Sequence, residues 1–104
     1  MAETLNTETF APFLKVHPVV LADFYKDGCV ACRRIAPLLA QVESAQAGQT
    51  ALARVNTSSN LALAQQYEIE AAPTLILFRD GLEVSRHRGV ITKDELDKFL
   101  EEAL

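Results

Sequence analysis

Residues 23–37 read DFYKDGCVACRRIAP and hold both cysteines of the chain, Cys29 and Cys32, with two residues between them. The β-branched and apolar run VVLADFY (19–25) leads into the pair. After it, Ile35, Leu38, Leu39 and Val42 recur at helical spacing. The pair is therefore expected at the junction of a strand buried on both faces and the first turn of a helix. That helix is expected from Cys29 to about Ala47, with Pro37 inside it and Gly48 suited to its end.

Outward from this junction the elements alternate. ALARVN (51–56) reads as a strand, and SNLALAQQYE (59–68) as a helix capped near Ser59. TLILF (74–78), RDG (79–81) and LEVSRHR (82–88) read as strand, turn and strand. TKDELDKFLEEAL (92–104) opens with Thr92 and Glu95 at capping-box spacing, with Ile91, Leu96, Phe99 and Leu100 on one face. Ahead of the junction, a short extended start precedes a brief helix. It is expected to be capped near Thr7, to carry Phe10, Phe13 and Leu14 on one side, and to stop at Pro18. The order is β-α-β-α-β-α-β-β-α, with the first strand short or absent. Such alternation implies an α/β fold, a central sheet with helices on its faces.

Composition sets the outer limits. The chain has 104 residues, 49% of them apolar and 23% charged, as expected for a single globular domain over residues 1–104. Its formal charge of −4 argues against nucleic acid as a partner, which needs clustered Lys and Arg. No apolar run approaches the ~20 residues that cross a bilayer, so no membrane is expected. The opening MAETLNTETF has no basic stretch followed by an apolar one, so the expected location is the cytoplasm. Structural disulfides are rare there.

Two cysteines could bind a metal, pack as small apolar residues, or exchange electrons. A structural zinc site wants four N or S ligands. Only His17 and His87 remain to complete one, and neither has local ligand spacing, so no metal is expected. Simple packing does not explain the placement at a strand–helix junction. Electron exchange does. Residues three apart in a first helical turn bring their sulfurs together. Cys29 would meet the free N–H groups and partial positive charge of the helix start, which favour a thiolate. Cys32, a turn further in, is expected to be the more buried and to stay protonated until needed. Cys29 would attack a disulfide and Cys32 would resolve the mixed disulfide.

VLADFY before CVACRRIAP, then ARVN, APTLILFRDG and GVITKDELDKFL, occur in this order over nearly the whole chain. In them the chain resembles the thioredoxin family. The resemblance implies the thioredoxin fold, a central mixed β-sheet of four to five strands flanked by helices, and a protein-disulfide oxidoreductase activity. It implies no bound cofactor. Electrons would come from a thioredoxin reductase using flavin and NADPH, and would go to disulfide-containing protein substrates. The protein would act as a monomer. Cys29 matches the attacking cysteine and Cys32 the resolving one. Asp23 matches a buried acid that moves the proton of Cys32; the alternative is a partly exposed residue at a strand end. Pro73 matches a cis-proline facing the pair. Ala72 and Pro73 would offer main-chain groups to a substrate strand, and Val30, Ala31, Gly89 and Val90 would complete the docking patch. Gly81 and Pro37 match structural positions.

The chain departs from the family where the chemistry is tuned. The usual Trp-Cys-Gly-Pro-Cys is here Gly28-Cys29-Val30-Ala31-Cys32, and no tryptophan is present. Tyr25 stands where the family usually has a second tryptophan. Arg54 replaces a common lysine; if it reaches Asp23, its permanent charge would favour the ionised acid. Gly28 and Arg54 are therefore expected to tune the site. Arg33, Arg34, Arg86, His87 and Arg88 could ring the pair with positive charge, or could be solvated surface charge. His17 and His87 otherwise read as surface residues. Two other functions share this sequence pattern: an interaction subunit with regulatory cysteines, and a more oxidising exchange protein.

Overall fold

In the computed structural model, which describes residues 2–104, the run at 19–25 is the central strand; Met1, at the head of the expected domain, lies outside the described residues. The elements are β1 (Glu3–Leu5), α1 (Phe10–Val16), β2 (Val19–Tyr25), α2 (Val30–Ala45), β3 (Ala51–Asn56), α3 (Leu61–Gln66), β4 (Thr74–Arg79), β5 (Leu82–Arg88) and α4 (Lys93–Glu101). The strands form one mixed sheet in the order β1-β3-β2-β4-β5. β3 runs parallel to β1 and β2, whereas β4 runs antiparallel to both β2 and β5. The first strand is present but only three residues long.

β2 reads as nearly continuous apolar sequence because helices cover both of its faces. Val20, Ala22 and Phe24 point to one side, into a core built with Phe10 and Leu14 of α1 and Leu63 of α3. Leu21 points to the other side, into a core with Ile35, Leu39 and Val42 of α2 and Leu96, Phe99 and Leu100 of α4. In the first core Phe10, Phe24, Tyr67 and Phe78 pack with ring centroids 5.4–5.9 Å apart, within the favourable range for tilted and edge-on pairs. Asp23 follows the parity of Leu21, so it faces α2.

The β4–β5 hairpin turns as its sequence directs. Asp80 and Gly81 both have positive φ, 51° and 82°, as a two-residue type I′ turn requires. Leu77 pairs with Ser85 but Phe78 with Glu83, so Val84 is an extra, bulged residue.

Three boundaries differ from the sequence reading. α2 runs Val30–Ala45, with Cys29 as its N-cap rather than its first residue. α1 is not capped at Thr7: its N-cap position is Thr9, which makes no side-chain cap bond. Instead Asn6 Oδ1 accepts from the N–H groups of Glu8 and Thr9, both at 2.9 Å. α3 is preceded by Asn60, not capped by Ser59. The Asn60 side chain is occupied elsewhere, donating to the Asn56 carbonyl and accepting from Thr7 N–H.

α4 has the expected capping box. Glu95 N–H donates to Thr92 Oγ1 at 3.2 Å, and Thr92 N–H to Glu95 Oε1 at 2.9 Å. Thr92→Ala is expected to lower stability by about 1 kcal/mol, read as a lower urea midpoint at unchanged slope.

Candidate active site

β2 ends at Tyr25 and the chain must turn at once into α2. Gly28, at φ 68°, supplies the left-handed residue of that turn. Cys29 follows in an extended conformation (φ −94°, ψ 107°), the usual geometry of an N-cap. Its Sγ accepts a hydrogen bond from Cys32 N–H at 3.1 Å. Sulfur thus takes the place that serine or aspartate oxygen takes in ordinary caps. In the reduced protein this donor and the positive end of α2 would favour a thiolate on Cys29.

Cys29 and Cys32 are joined in a disulfide with Cα atoms 5.2 Å apart, so the oxidised form is on view. Both are buried, at 7% and 4% exposure. The expected difference in burial is therefore slight in this form, because the cap and the bond fold both sulfurs into the same turn.

The Ala72–Pro73 peptide is cis, and the Ala72 carbonyl oxygen lies 3.6 Å from Cys29 Sγ. Pro73 is buried and Ala72 half-buried. Gly89, at φ 86°, donates its N–H to the Pro73 carbonyl at 2.8 Å. This ties the loop after β5 to the segment before β4. Val30 and Val90 stand out into solvent at 57% and 53% exposure, and Ala31 is half-buried. The sulfurs thus sit at the floor of a small apolar surface with main-chain groups beside them.

Asp23 is fully buried, which removes the reading of it as an exposed strand-end residue. Its Oδ2 accepts from Arg54 Nε at 3.3 Å, and among the described residues its buried Oδ1 has no partner. Burial pushes the carboxyl pKa up; the Arg54 charge and hydrogen bond pull it down and offset part of that rise. The net direction is upward. Arg54 does reach Asp23, the condition under which its charge favours the ionised acid, yet burial outweighs it.

Of the charges that could ring the pair, Arg86 does not. Arg86 is turned away from the cysteines, bonded to both Glu83 carboxylate oxygens at 2.6 and 2.7 Å and to the Tyr67 carbonyl at 3.0 Å. Arg33, Arg34 and Arg88 are exposed. Neither histidine is a plain surface residue. His17 packs on Phe13 with centroids 4.2 Å apart, and His87 packs on Phe99 and contacts the Val90 carbonyl through Nε2 at 3.0 Å. His87 therefore steadies the Val90 loop, a role that sequence reasoning missed. The missed contact on the other side is Tyr25, whose ring lies 4.1 Å from the Arg54 guanidinium carbon. The one sequence signal for it was period two along β2, which puts Tyr25 and Asp23 on the same face.

Among the described residues, no group of three or more His, Cys, Asp or Glu could hold a metal ion. No helix among them is long and apolar enough to cross a membrane.

The thioredoxin family model matches residues 1–102. Among similar curated proteins, a thioredoxin of Chlamydia caviae is 35% identical over 100 residues, covering 96% of each chain. A thioredoxin of Chlamydia trachomatis is 34% identical over the same shares. A thioredoxin-like protein of Synechocystis is 40% identical over 91 residues, 86% of this chain and 87% of that one. The match runs through every element that builds the cysteine site. The chain belongs to the thioredoxin family, with the thioredoxin fold, and is a protein-disulfide oxidoreductase working through a dithiol/disulfide pair.

Proposed function

We propose that the protein acts as a monomeric cytoplasmic reductant, a single domain over residues 1–104. It takes electrons from a thioredoxin reductase using flavin and NADPH and passes them to disulfides of protein substrates. The observation that carries the reading is the place of Cys29 Sγ: capped by Cys32 N–H at the head of α2 and 3.6 Å from the Ala72 carbonyl.

In the reduced form, the Cys29 thiolate attacks one sulfur of a substrate disulfide. The other substrate sulfur leaves as a thiolate and is protonated. Asp23 then takes the proton of Cys32, and the new thiolate attacks Cys29 Sγ. The second substrate sulfur leaves, and the pair ends as the Cys29–Cys32 disulfide. Two electrons have passed from the pair to the substrate. Ala72 and Pro73 lend main-chain groups to an extended substrate segment. Val30, Ala31, Gly89 and Val90 form the apolar rim, and Gly28 and Arg54 tune the site.

Direction is tested by equilibrating the pair against glutathione buffers and weighing the alkylated protein. The expected midpoint lies well below the cytosolic glutathione poise. A midpoint near or above that poise would overturn the reductant direction, with Val30 and Ala31 then making the pair more oxidising.

A further inference from the structure

Arg54 is bound from two sides. Its Nε donates to Asp23 Oδ2 at 3.3 Å, and its guanidinium carbon lies 4.1 Å from the centroid of the Tyr25 ring. The backbone explains the arrangement. Asp23 and Arg54 are register partners on β2 and β3, and Tyr25 is two residues along β2 on the same face as Asp23. The Arg54 side chain is 34% exposed. A long side chain this accessible would otherwise divide its time between the acid and water. A ring face within 6 Å of the cation removes that freedom.

The consequence falls on the two carboxylate oxygens of Asp23. Oδ2 is tied to Arg54, while Oδ1 is buried and has no partner among the described residues. A buried acceptor without a partner in a native protein calls for a role. The groups brought to this face are Arg54 from β3, Leu75 from β4 and Ile35 from α2, with Cys32 one turn before Ile35 on the same buried side of that helix. Glu43 of α2 lines, with Arg54, a cavity of about 190 Å³.

We propose that Tyr25 is a positioning residue for the resolving step: its ring holds Arg54 on Asp23 Oδ2 and so leaves Oδ1 as the oxygen that takes the Cys32 proton. This rests on the reading of Asp23 as the proton acceptor. In that step the Cys32 S–H proton moves to Oδ1 and the thiolate attacks Cys29 Sγ. The bond from Cys29 to the substrate breaks, and the leaving substrate thiolate is reprotonated. Without the ring, Arg54 turns to solvent and its attraction for the carboxylate weakens. Asp23 then holds its own proton to higher pH, and the resolving step needs a more alkaline solution.

The test follows the resolving step alone, as release of the second thiol from bis(2-hydroxyethyl) disulfide after mixing with fully reduced protein, across a range of pH. Arg54→Gln should raise the midpoint of the pH profile, Tyr25→Leu should raise it by a part of that amount, and the double variant should raise it no further than Arg54→Gln alone. Tyr25→Phe, which keeps the ring face, should retain the original midpoint. A Tyr25→Leu midpoint equal to that of the unaltered protein would overturn the proposal. So would a shift in Tyr25→Phe as large as in Tyr25→Leu, or additive shifts in the double variant. Asp23→Asn separates the two levels of the argument: if the same pH limb survives in it, the reading of Asp23 fails and the positioning role fails with it. If Asp23→Asn loses the limb while Tyr25→Leu leaves it in place, only the role of Tyr25 fails.

Discussion

Replacing Cys29 by serine should lower disulfide turnover by on the order of 10³-fold or more, to the background of free thiols. Replacing Cys32 by serine should leave the first transfer intact and stop the second. The reason lies in the asymmetry of the cap. Cys29 Sγ receives the Cys32 N–H at the positive end of a 16-residue helix; a serine hydroxyl at the same place is neutral at working pH and attacks sulfur poorly. Among the described residues Cys32 Sγ receives no such donor, and the N–H that caps Cys29 is main chain, so replacing the Cys32 side chain spares the nucleophile. The expected products therefore differ. Cys29→Ser should give no adduct with a substrate protein, whereas Cys32→Ser should accumulate a mixed disulfide at Cys29 that dithiothreitol releases. Non-reducing electrophoresis with mass analysis of the trapped peptide reads both. Adducts on Cys32 in Cys29→Ser, formed as fast as those on Cys29 in Cys32→Ser, would reverse the assignment of roles. The same pair of variants bears on the alternative of an interaction subunit: partner binding that survived loss of both cysteines would make the exchange incidental to binding.

How far these statements could be read from sequence depends on the range of the interactions behind them. The strand at 19–25 and the capping box of Thr92 and Glu95 are local patterns, and both formed where expected. The caps at Thr7 and Ser59 were misread for a non-local reason. Thr7 N–H is satisfied by the Asn60 side chain from 53 residues away, so the residue next to Ser59 spends its side chain on a segment that no local window joins to it. The pairing of Arg86 with Glu83 is hidden from the sequence by parity. Glu83 and Arg86 are three apart, which in a regular strand puts them on opposite faces. The extra residue at Val84 shifts the register so that Glu83 sits opposite Phe78 and Arg86 opposite Ile76. Both now share a face and pair. The stack of Tyr25 on Arg54 likewise needs the register of β2 against β3, which no spacing along the chain supplies. In the cysteine site, by contrast, strand end, turn glycine, cap and helix follow one another within eight residues. That is why its outline was legible from the sequence.

Stability should fall as pH rises through the titration of Asp23, and removing the acid should remove that fall. The sign follows from the raised pKa. Between the ordinary aspartate value of 3.8 and the higher value in the fold, the native state holds a proton that the unfolded state has lost. Stability then decreases with pH across this window and is level above it. Above that window ionised Asp23 therefore costs stability, because Arg54 returns only part of what burial takes. Exchanging the pair for apolar residues, Asp23→Leu with Arg54→Met, is expected to raise stability by about 1–4 kcal/mol above that window. The gain should shrink toward acid pH, where Asp23 in the unaltered protein is already neutral. Asp23→Asn should flatten the same window. Glu83 acts with the opposite sign: the Arg86 hydrogen bond lowers its pKa, so its stabilisation is lost as pH falls. The difference curve between variant and unaltered protein cancels that contribution. Urea midpoints of the oxidised forms, taken as a function of pH, measure it without interference from cysteine titration. A difference that grew toward acid pH would mean that the buried acid stabilises the fold when ionised. A gain in stability accompanied by a slower resolving step, in the same Asp23→Asn protein, would mean that the fold bears the buried charge because the chemistry at Cys32 uses it.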